Sequence, residues 1–136
     1  VLSLSAVFAI FAGWYFWFPK MSGLVASERL AKLHFWLTFT GVNLVFLPLH
    51  LTAMAAAPLP AGWGTAALAG AVLSAAGVAV FLASVGLAFL RAVPAGANPW
   101  GEGATSAEWR VSSPPPVLAF EMAFEPAAVE PAGHRR

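Results

Sequence analysis

Long apolar stretches alternate with short polar ones along the chain, and this pattern predicts three membrane-spanning helices. The apolar stretches cover residues 1–18, 33–57 and about 65–90. Each is near the ~20 residues that a helix needs to cross ~30 Å of hydrocarbon, where a lone strand would leave its backbone groups unpaired. Pro19 closes the first stretch and Pro58 the second. The first stretch starts abruptly in apolar sequence, so we interpret it as the truncated end of a longer helix.

Residues 91–136 differ from the rest of the chain. They contain Pro114, Pro115 and Pro116 in a row and have little helical period. Such Pro-rich, polar sequence is typically extended or irregular. We therefore predict an all-α membrane protein over residues 1–90, followed by an irregular Pro-rich tail.

The composition excludes a water-soluble globule. Hydrophobic residues make up 60% of the chain and charged residues 10%, against roughly a quarter charged in soluble domains. No formal charge occurs between residues 34 and 90. The net charge of +1 lacks the basic cluster of a nucleic-acid binder, and the absence of cysteine excludes thiol chemistry and cysteine-ligated metals.

The loops predict the orientation of the helices. The loop at 19–32 holds three basic residues and one acidic residue, whereas the turn at 58–64 holds no charge. Basic loops stay on the cytoplasmic side of a membrane. We expect the 19–32 loop and the tail to be cytoplasmic.

The second helix holds the polar residues that could carry chemistry inside the membrane. Thr40, Asn43 and His50 fall within a stripe of ~80° at 100° per residue. Asn43 would either bond to another helix or face a cofactor, and His50 would be an interface residue or a metal ligand. A second stripe is formed by Thr38, Val42, Phe46 and Leu49.

Small residues recur along the third helix at helical spacing and predict a face for close packing: Gly70, Ser74, Gly77, Ser84 and Ala88. Three helices offer few partners for such faces, so we expect further helices beside them. The chain has no membrane-embedded carboxylate, no Ser/His/Asp set and no cluster of metal ligands. By its residues alone, it performs no chemistry and is part of a larger assembly.

Three long strings indicate a family: VLSLSAVFAIFAGWYFWFPKMSG at 1–23, SERLAKLHFWLTFTGVNLVFLPLH at 27–50 and NPWGEGATSAEWRVSSPPPVLAFE at 98–121. In this order they resemble the C-terminal end of subunit I of haem–copper terminal oxidases. The resemblance implies the end of a twelve-helix bundle, from the second half of helix ten through helices eleven and twelve. The family binds haem and copper, and its His-Phe-His-Tyr motif would lie just before Val1. The resemblance therefore implies that this fragment holds no metal ligand, and it places a haem-pocket wall at Ser3, Thr38, Val42, Phe46 and Leu49.

One segment departs from the family pattern. Similar proteins carry a Met-Pro-Arg-Arg motif whose arginines bond the haem propionates. The corresponding positions here are Ala57, Pro58, Leu59 and Pro60. The resemblance thus predicts altered redox tuning at a haem that lacks these two cations.

The resemblance implies that the chain is a fragment of the catalytic subunit of a cytochrome c oxidase, an enzyme expected to reduce oxygen to water with electrons from cytochrome c and to pump protons. Its partners would be the rest of subunit I, subunits II and III, and membrane lipid. A quinol oxidase of the same superfamily and a non-catalytic three-helix scaffold or assembly protein are the alternatives. Arginine outnumbers lysine five to two and isoleucine occurs once, which favours a GC-rich bacterium and its plasma membrane.

Overall fold

A computed structural model describes residues 2–118, with the backbone alone for residues 2–4. Three α-helices follow one another: α1 (Leu2–Ser22), α2 (Glu28–Ala55) and α3 (Trp63–Arg91). A short 3₁₀ helix at Ala107–Arg110 is the remaining helical element of this part of the chain. Within residues 2–118 no strand forms, so the described part is all-helical, as the sequence predicts.

The first helix continues beyond Pro19, where the sequence pattern predicts its end. A proline inside a helix removes one backbone donor, which bends or weakens a helix without always ending it. The helix ends instead at Gly23, whose φ of +72° is the left-handed conformation that glycine adopts without strain. The Gly23 amide donates to Pro19 O at 2.9 Å and closes the last turn.

The second helix begins five residues before its predicted start, at Glu28, and takes in the charged sequence that precedes the apolar stretch. Ser27 has the extended backbone of an N-cap residue. The helix ends at Ala55, where Ala56 is left-handed and its amide donates to Thr52 O. The third helix follows the left-handed Gly62.

The described chain forms two compact units. One unit comprises residues 26–92 and is a hairpin of the antiparallel helices α2 and α3. The residues that meet across the hairpin follow a constant antiparallel register, which we call the α2–α3 seam. Its paired positions are His34 with Phe81, Thr38 with Gly77, Gly41 with Ser74, and Val45 with Gly70.

The predicted small-residue face of α3 is confirmed by the structure. Gly70, Gly77, Ser84 and Ala88 are buried, and Ser74 lies against Gly41. A Cβ atom built on Gly70 would lie 2.5 Å from Gly41 O, so the two backbones approach without room for a methyl group. Small residues allow such an approach between helices in a membrane.

The other unit joins residues 2–25 to residues 93–118. Two backbone hydrogen bonds pair the segments that follow α1 and α3. Val25 N donates to Val93 O at 2.9 Å, and Ala95 N donates to Gly23 O at 2.7 Å. The described part of the tail contains the 3₁₀ helix and no other regular element, and it docks on the end of α1. The irregular Pro-rich tail as a whole stays a prediction, since the rest of it lies outside the described residues.

Two helices, α2 and α3, are long and apolar enough to cross a membrane. Their outer faces carry large exposed apolar side chains, such as Trp36, Leu47, Leu68 and Leu82. Apolar surface of this extent is typical of a protein that lies in lipid or against other helices. A spanning role for α1 stays a prediction.

Candidate functional site

The stripe predicted to face haem runs along α2 from the seam to the surface. Thr38 is buried, with 7% of its surface exposed, and contacts Gly77 of α3. Val42 and Leu49 are half-buried, and Phe46 is 39% exposed. Thr38, the first residue of this stripe, therefore packs against α3. Val42, Phe46 and Leu49 present an apolar surface that is at least partly exposed. The side chain of Ser3 lies outside the described residues.

The polar stripe of α2 lies on the side of the helix away from the seam. The Asn43 amide donates to Phe39 O at 2.8 Å, and His50 Nδ1 lies 2.7 Å from Phe46 O. Both partners are carbonyls one turn earlier in the same helix. This hydrogen bond of the Asn43 amide is therefore intrahelical, and a contact of Asn43 with a further helix or a cofactor stays a prediction. Side chains that bond their own helix satisfy their polar atoms without a partner helix.

The residues of the α2 stripe fit a hydrophobic contact with a flat cofactor better than they fit metal ligation. Val42, Phe46 and Leu49 offer aliphatic and aromatic surface and no ligating atom. Over residues 2–118, no three His, Asp or Glu side chains converge in a group that could hold a metal ion. A haem or copper ligand set would need other side chains.

Two buried hydroxyls lie in the hairpin. Ser84 is 1% exposed, and neither its Oγ nor Thr38 Oγ1 has a hydrogen-bond partner among the described residues. Burying such a group costs about 1–3 kcal/mol. A Cβ atom built on Gly77 would lie 2.5 Å from Thr38 Oγ1, so this hydroxyl packs directly against the backbone of α3.

A buried lysine forms a polar site at the end of α1. Lys20 is 4% exposed. Its ammonium donates three hydrogen bonds to backbone carbonyls of the tail: Ala97 O at 3.1 Å, Val111 O at 2.8 Å and Ser112 O at 3.3 Å. We call these three oxygens the carbonyl cage. An ammonium has three donors, so its hydrogen-bonding capacity is matched.

An aromatic cluster borders the cage. Trp109 is 3% exposed, and its ring centroid lies 5.2 Å from Phe16 and 5.6 Å from Trp17. Lys20 Nζ lies 5.2 Å from the Trp109 ring centroid, within reach of a cation–π interaction. Trp100 stacks on Phe16 with ring centroids 5.5 Å apart. The aromatic residues of α1 therefore bind the tail through two tryptophans.

Burial and the charge of Glu108 act in opposite directions on the pKa of Lys20. Burial lowers the pKa of Lys20, and the Glu108 carboxylate acts to raise it. The pKa of Glu108 is itself lowered, chiefly by the hydrogen bond that Ser106 Oγ donates to it at 2.7 Å. The carboxylate that acts on the lysine is thus held ionised by a neighbour in the 3₁₀ segment.

In the sequence, Lys20 counts only among the three basic residues of the 19–32 loop, and no pattern singles out Trp109. The available signal was a lysine directly after Pro19, at the end of an aromatic run. A pattern along the chain does not reveal that a cation meets carbonyls from residues 77 to 92 positions away. The cage depends on the turns of the tail, which have no periodicity to detect.

Comparison with known proteins gives consistent matches. The sequence model of the family described as cytochrome C and quinol oxidase polypeptide I matches residues 1–89. A protein of Cereibacter sphaeroides named cytochrome c oxidase subunit 1 is 42% identical over 131 residues, which are 90% of this chain and 23% of the relative. Proteins of the same name from Yarrowia lipolytica and a Synechocystis strain are 38% and 36% identical over 88% and 89% of this chain. These relatives are covered over 27% and 23% of their length, so the chain spans about a quarter of the proteins it matches.

Proposed function

Because the chain belongs to the family of cytochrome c and quinol oxidase polypeptide I, we propose that it is the C-terminal part of the catalytic subunit of a respiratory terminal oxidase. The whole oxidase would reduce oxygen to water with electrons from cytochrome c and pump protons. The observation that carries the proposal is 42% identity over 90% of the chain to one subunit 1. Two apolar helices long enough to cross a membrane agree with it.

The part of the site that this chain supplies is apolar surface beside a haem. Val42, Phe46 and Leu49 would contact the ring, and Ser3 would line the same pocket. Thr38 would act from behind, because its side chain lies in the seam with α3. When bound elsewhere in the subunit, haem and copper supply the oxygen and electron chemistry. The role of these five residues is to exclude water and to hold the ring in place.

The assembly around the chain follows from the same proposal. The rest of subunit I would complete a twelve-helix bundle, with subunits II and III beside it in a bacterial plasma membrane. The exposed apolar side chains of α2 and α3 suit burial against such neighbours or lipid. The basic loop and the tail would be cytoplasmic.

The test substitutes one stripe residue in the complete oxidase and compares it with a neighbour on the other side of α2. Phe46→Ala should shift the absorption maximum of the low-spin haem and lower turnover with reduced cytochrome c. Leu47→Ala is the matched control, because Leu47 is 50% exposed and lies about 100° further round the helix. Equal spectra for both variants and the unmodified oxidase would contradict the haem-wall role.

The electron donor and the scaffold alternative need their own measurements. Oxygen consumption by the complete oxidase with reduced cytochrome c, and not with a quinol, is the expected result; the reverse would identify a quinol oxidase. The isolated 136-residue chain should give no stoichiometric haem signal in a pyridine-haemochrome spectrum. Such a signal would contradict the assignment of the haem ligands to other parts of the subunit.

A further inference from the structure

The end of α1 holds a cation where no carboxylate bonds to it. Lys20 is buried, and its three acceptors are neutral carbonyls from two separate stretches of the tail, at residues 97 and 111–112. Ser113 Oγ also donates to Ala97 O at 3.4 Å, which ties the two stretches to each other. The Lys20 side chain therefore bonds to both ends of the tail segment that runs from residue 97 to residue 112.

We propose that Lys20 is a cation latch: its ammonium fills the carbonyl cage, a site selective for a primary ammonium, and thereby holds residues 93–114 on the end of α1. The cage consists of three backbone carbonyl oxygens of the tail. The cation that occupies it is the Lys20 ammonium of the same chain.

The selectivity for a primary ammonium follows from geometry. A compact –NH₃⁺ group directs three protons at three oxygens, whereas the planar guanidinium of arginine spreads five protons over a larger fork. The face of Trp109 provides further attraction for a small cation at 5.2 Å. A quaternary ammonium has no proton to donate and would leave all three carbonyls without a partner.

Apolar packing alone does not explain the docked tail. Trp109 packs against Phe16 and Trp17, which places the tail but satisfies no donor of the buried lysine. A buried ammonium without acceptors is unfavourable. The three carbonyls therefore compensate the burial of Lys20 only when the tail is docked.

Close backbone contact further restricts the docked position. A Cβ atom on Gly23 would lie 2.7 Å from Pro114 Cδ and 3.0 Å from Ser113 O. The amides of Val25 and Ala95 are bonded across the same junction. These two amides report whether the tail is docked, because they exchange with solvent when it leaves.

The experiment measures amide hydrogen exchange at Val25 and Ala95 in the full chain in detergent, with far-UV circular dichroism to verify the helices. In the unmodified chain both amides should be protected. Lys20→Met keeps the apolar stem and removes the charge, and it should speed exchange roughly ten- to hundredfold, as expected for lost hydrogen bonds to a charged group. Lys32→Met is the matched control, because Lys32 is an exposed lysine paired with Glu28 at 2.7 Å. It should change neither amide.

Chemical rescue tests the selectivity of the cage. Lys20→Ala should lose protection and regain most of it on addition of propylammonium or methylammonium. Tetramethylammonium and sodium chloride at equal ionic strength should have no effect, and Lys20→Arg should remain poorly protected. The proposal is overturned if the unmodified chain shows no protection, if Lys20→Met is protected like the unmodified chain, or if tetramethylammonium rescues as well as propylammonium. None of these results depends on haem or oxidase activity, so the latch and the proposed function fail separately.

Discussion

A methyl group at Gly41 has no room in the hairpin, so Gly41→Ala tests what holds α2 against α3. The added Cβ would lie 2.5 Å from Gly70 O and 2.8 Å from Ser74 N. Both are backbone atoms, which cannot rotate aside as a side chain can. Ordinary contact begins near 3.4 Å, so the two helix backbones would have to separate by about 0.9 Å at this point.

The magnitude follows from two opposing effects. Forcing extra volume into a packed interface costs ~1–3 kcal/mol, and a gap of 0.5–1 Å forfeits about a quarter to a half of the dispersion energy of each contact along the seam. Alanine returns up to ~1 kcal/mol through its higher helix propensity. The net expectation is a loss of about 1–2 kcal/mol in the free energy of unfolding of the hairpin.

A graded series makes the measurement specific. Gly70→Ala meets Gly41 O at 2.5 Å and should resemble Gly41→Ala, whereas Gly77→Ala meets Thr38 Oγ1, a side-chain atom that can rotate, and should cost less. Gly86→Ala is the control on the same helix as Gly77, with nothing within 4 Å of the added carbon, and should stabilise by up to ~1 kcal/mol.

Reversible unfolding in detergent, followed by circular dichroism, gives the free energies. Spin labels on a cysteine pair, one in each helix, give the separation, since the chain has no cysteine of its own. If Gly86→Ala destabilises the hairpin as much as Gly41→Ala, close backbone contact does not hold α2 against α3. The same conclusion follows if Gly41→Ala leaves both the stability and the label distance unchanged.

Three further results are expected. Thr38→Val and Ser84→Ala each remove a buried hydroxyl that has no partner among the described residues, so the free energy of unfolding in detergent should stay the same or rise by up to ~1 kcal/mol; a clear fall would mean that the hydroxyl is bonded. Asn98→Ala removes two hydrogen bonds to carbonyls of its loop, at 2.7 and 2.9 Å, and should speed amide exchange over residues 98–104; unchanged exchange would contradict this. Ser106→Ala should raise the pKa of Glu108 in an NMR titration. Because that pKa is lowered in the folded chain, the Ser106–Glu108 hydrogen bond stabilises the fold at pH values above the ordinary carboxyl pKa. This stabilisation is lost as the pH falls through the pKa of the folded chain; an unchanged titration would rule the bond out.

The number and type of the helices could be predicted because lipid leaves few choices. A long run without charge has to satisfy its backbone internally, which makes it a helix of predictable length. The small residues of α3 were also readable, since their spacing matches one face and small side chains have few other uses there. Helix ends were less predictable, because α1 could end at Pro19 or at Gly23. The helix continues through Pro19 and ends at the left-handed Gly23.

The polar side chains of α2 were harder to interpret from the pattern. The spacing that groups Asn43 with His50 is correct, but a polar stripe can face a partner or bond its own helix, and both have the same period. Similarly, the stripe from Thr38 to Leu49 was read as a single surface. The hairpin buries its first member and exposes Phe46, because a stripe that drifts round a helix crosses from one neighbour to another.

Contacts to the backbone restrict the packing in both units, and in the unit of α1 and the tail they act beside the aromatic contacts of Trp109. In lipid, apolar side chains gain little by leaving one oily surface for another, so they do not select a partner. In the hairpin, selection comes from glycines that let one backbone reach another, as at Gly41 and Gly70. At the end of α1 the selection comes from Lys20, whose ammonium donates hydrogen bonds to carbonyls of the folded tail. A substitution that keeps or raises hydrophobicity but changes either contact should therefore be more damaging than a polar substitution on the outer face of α3. Gly41→Ala and Lys20→Met, each compared with a Leu82→Gln variant whose side chain is 62% exposed, would measure that difference in one set of unfolding and exchange experiments.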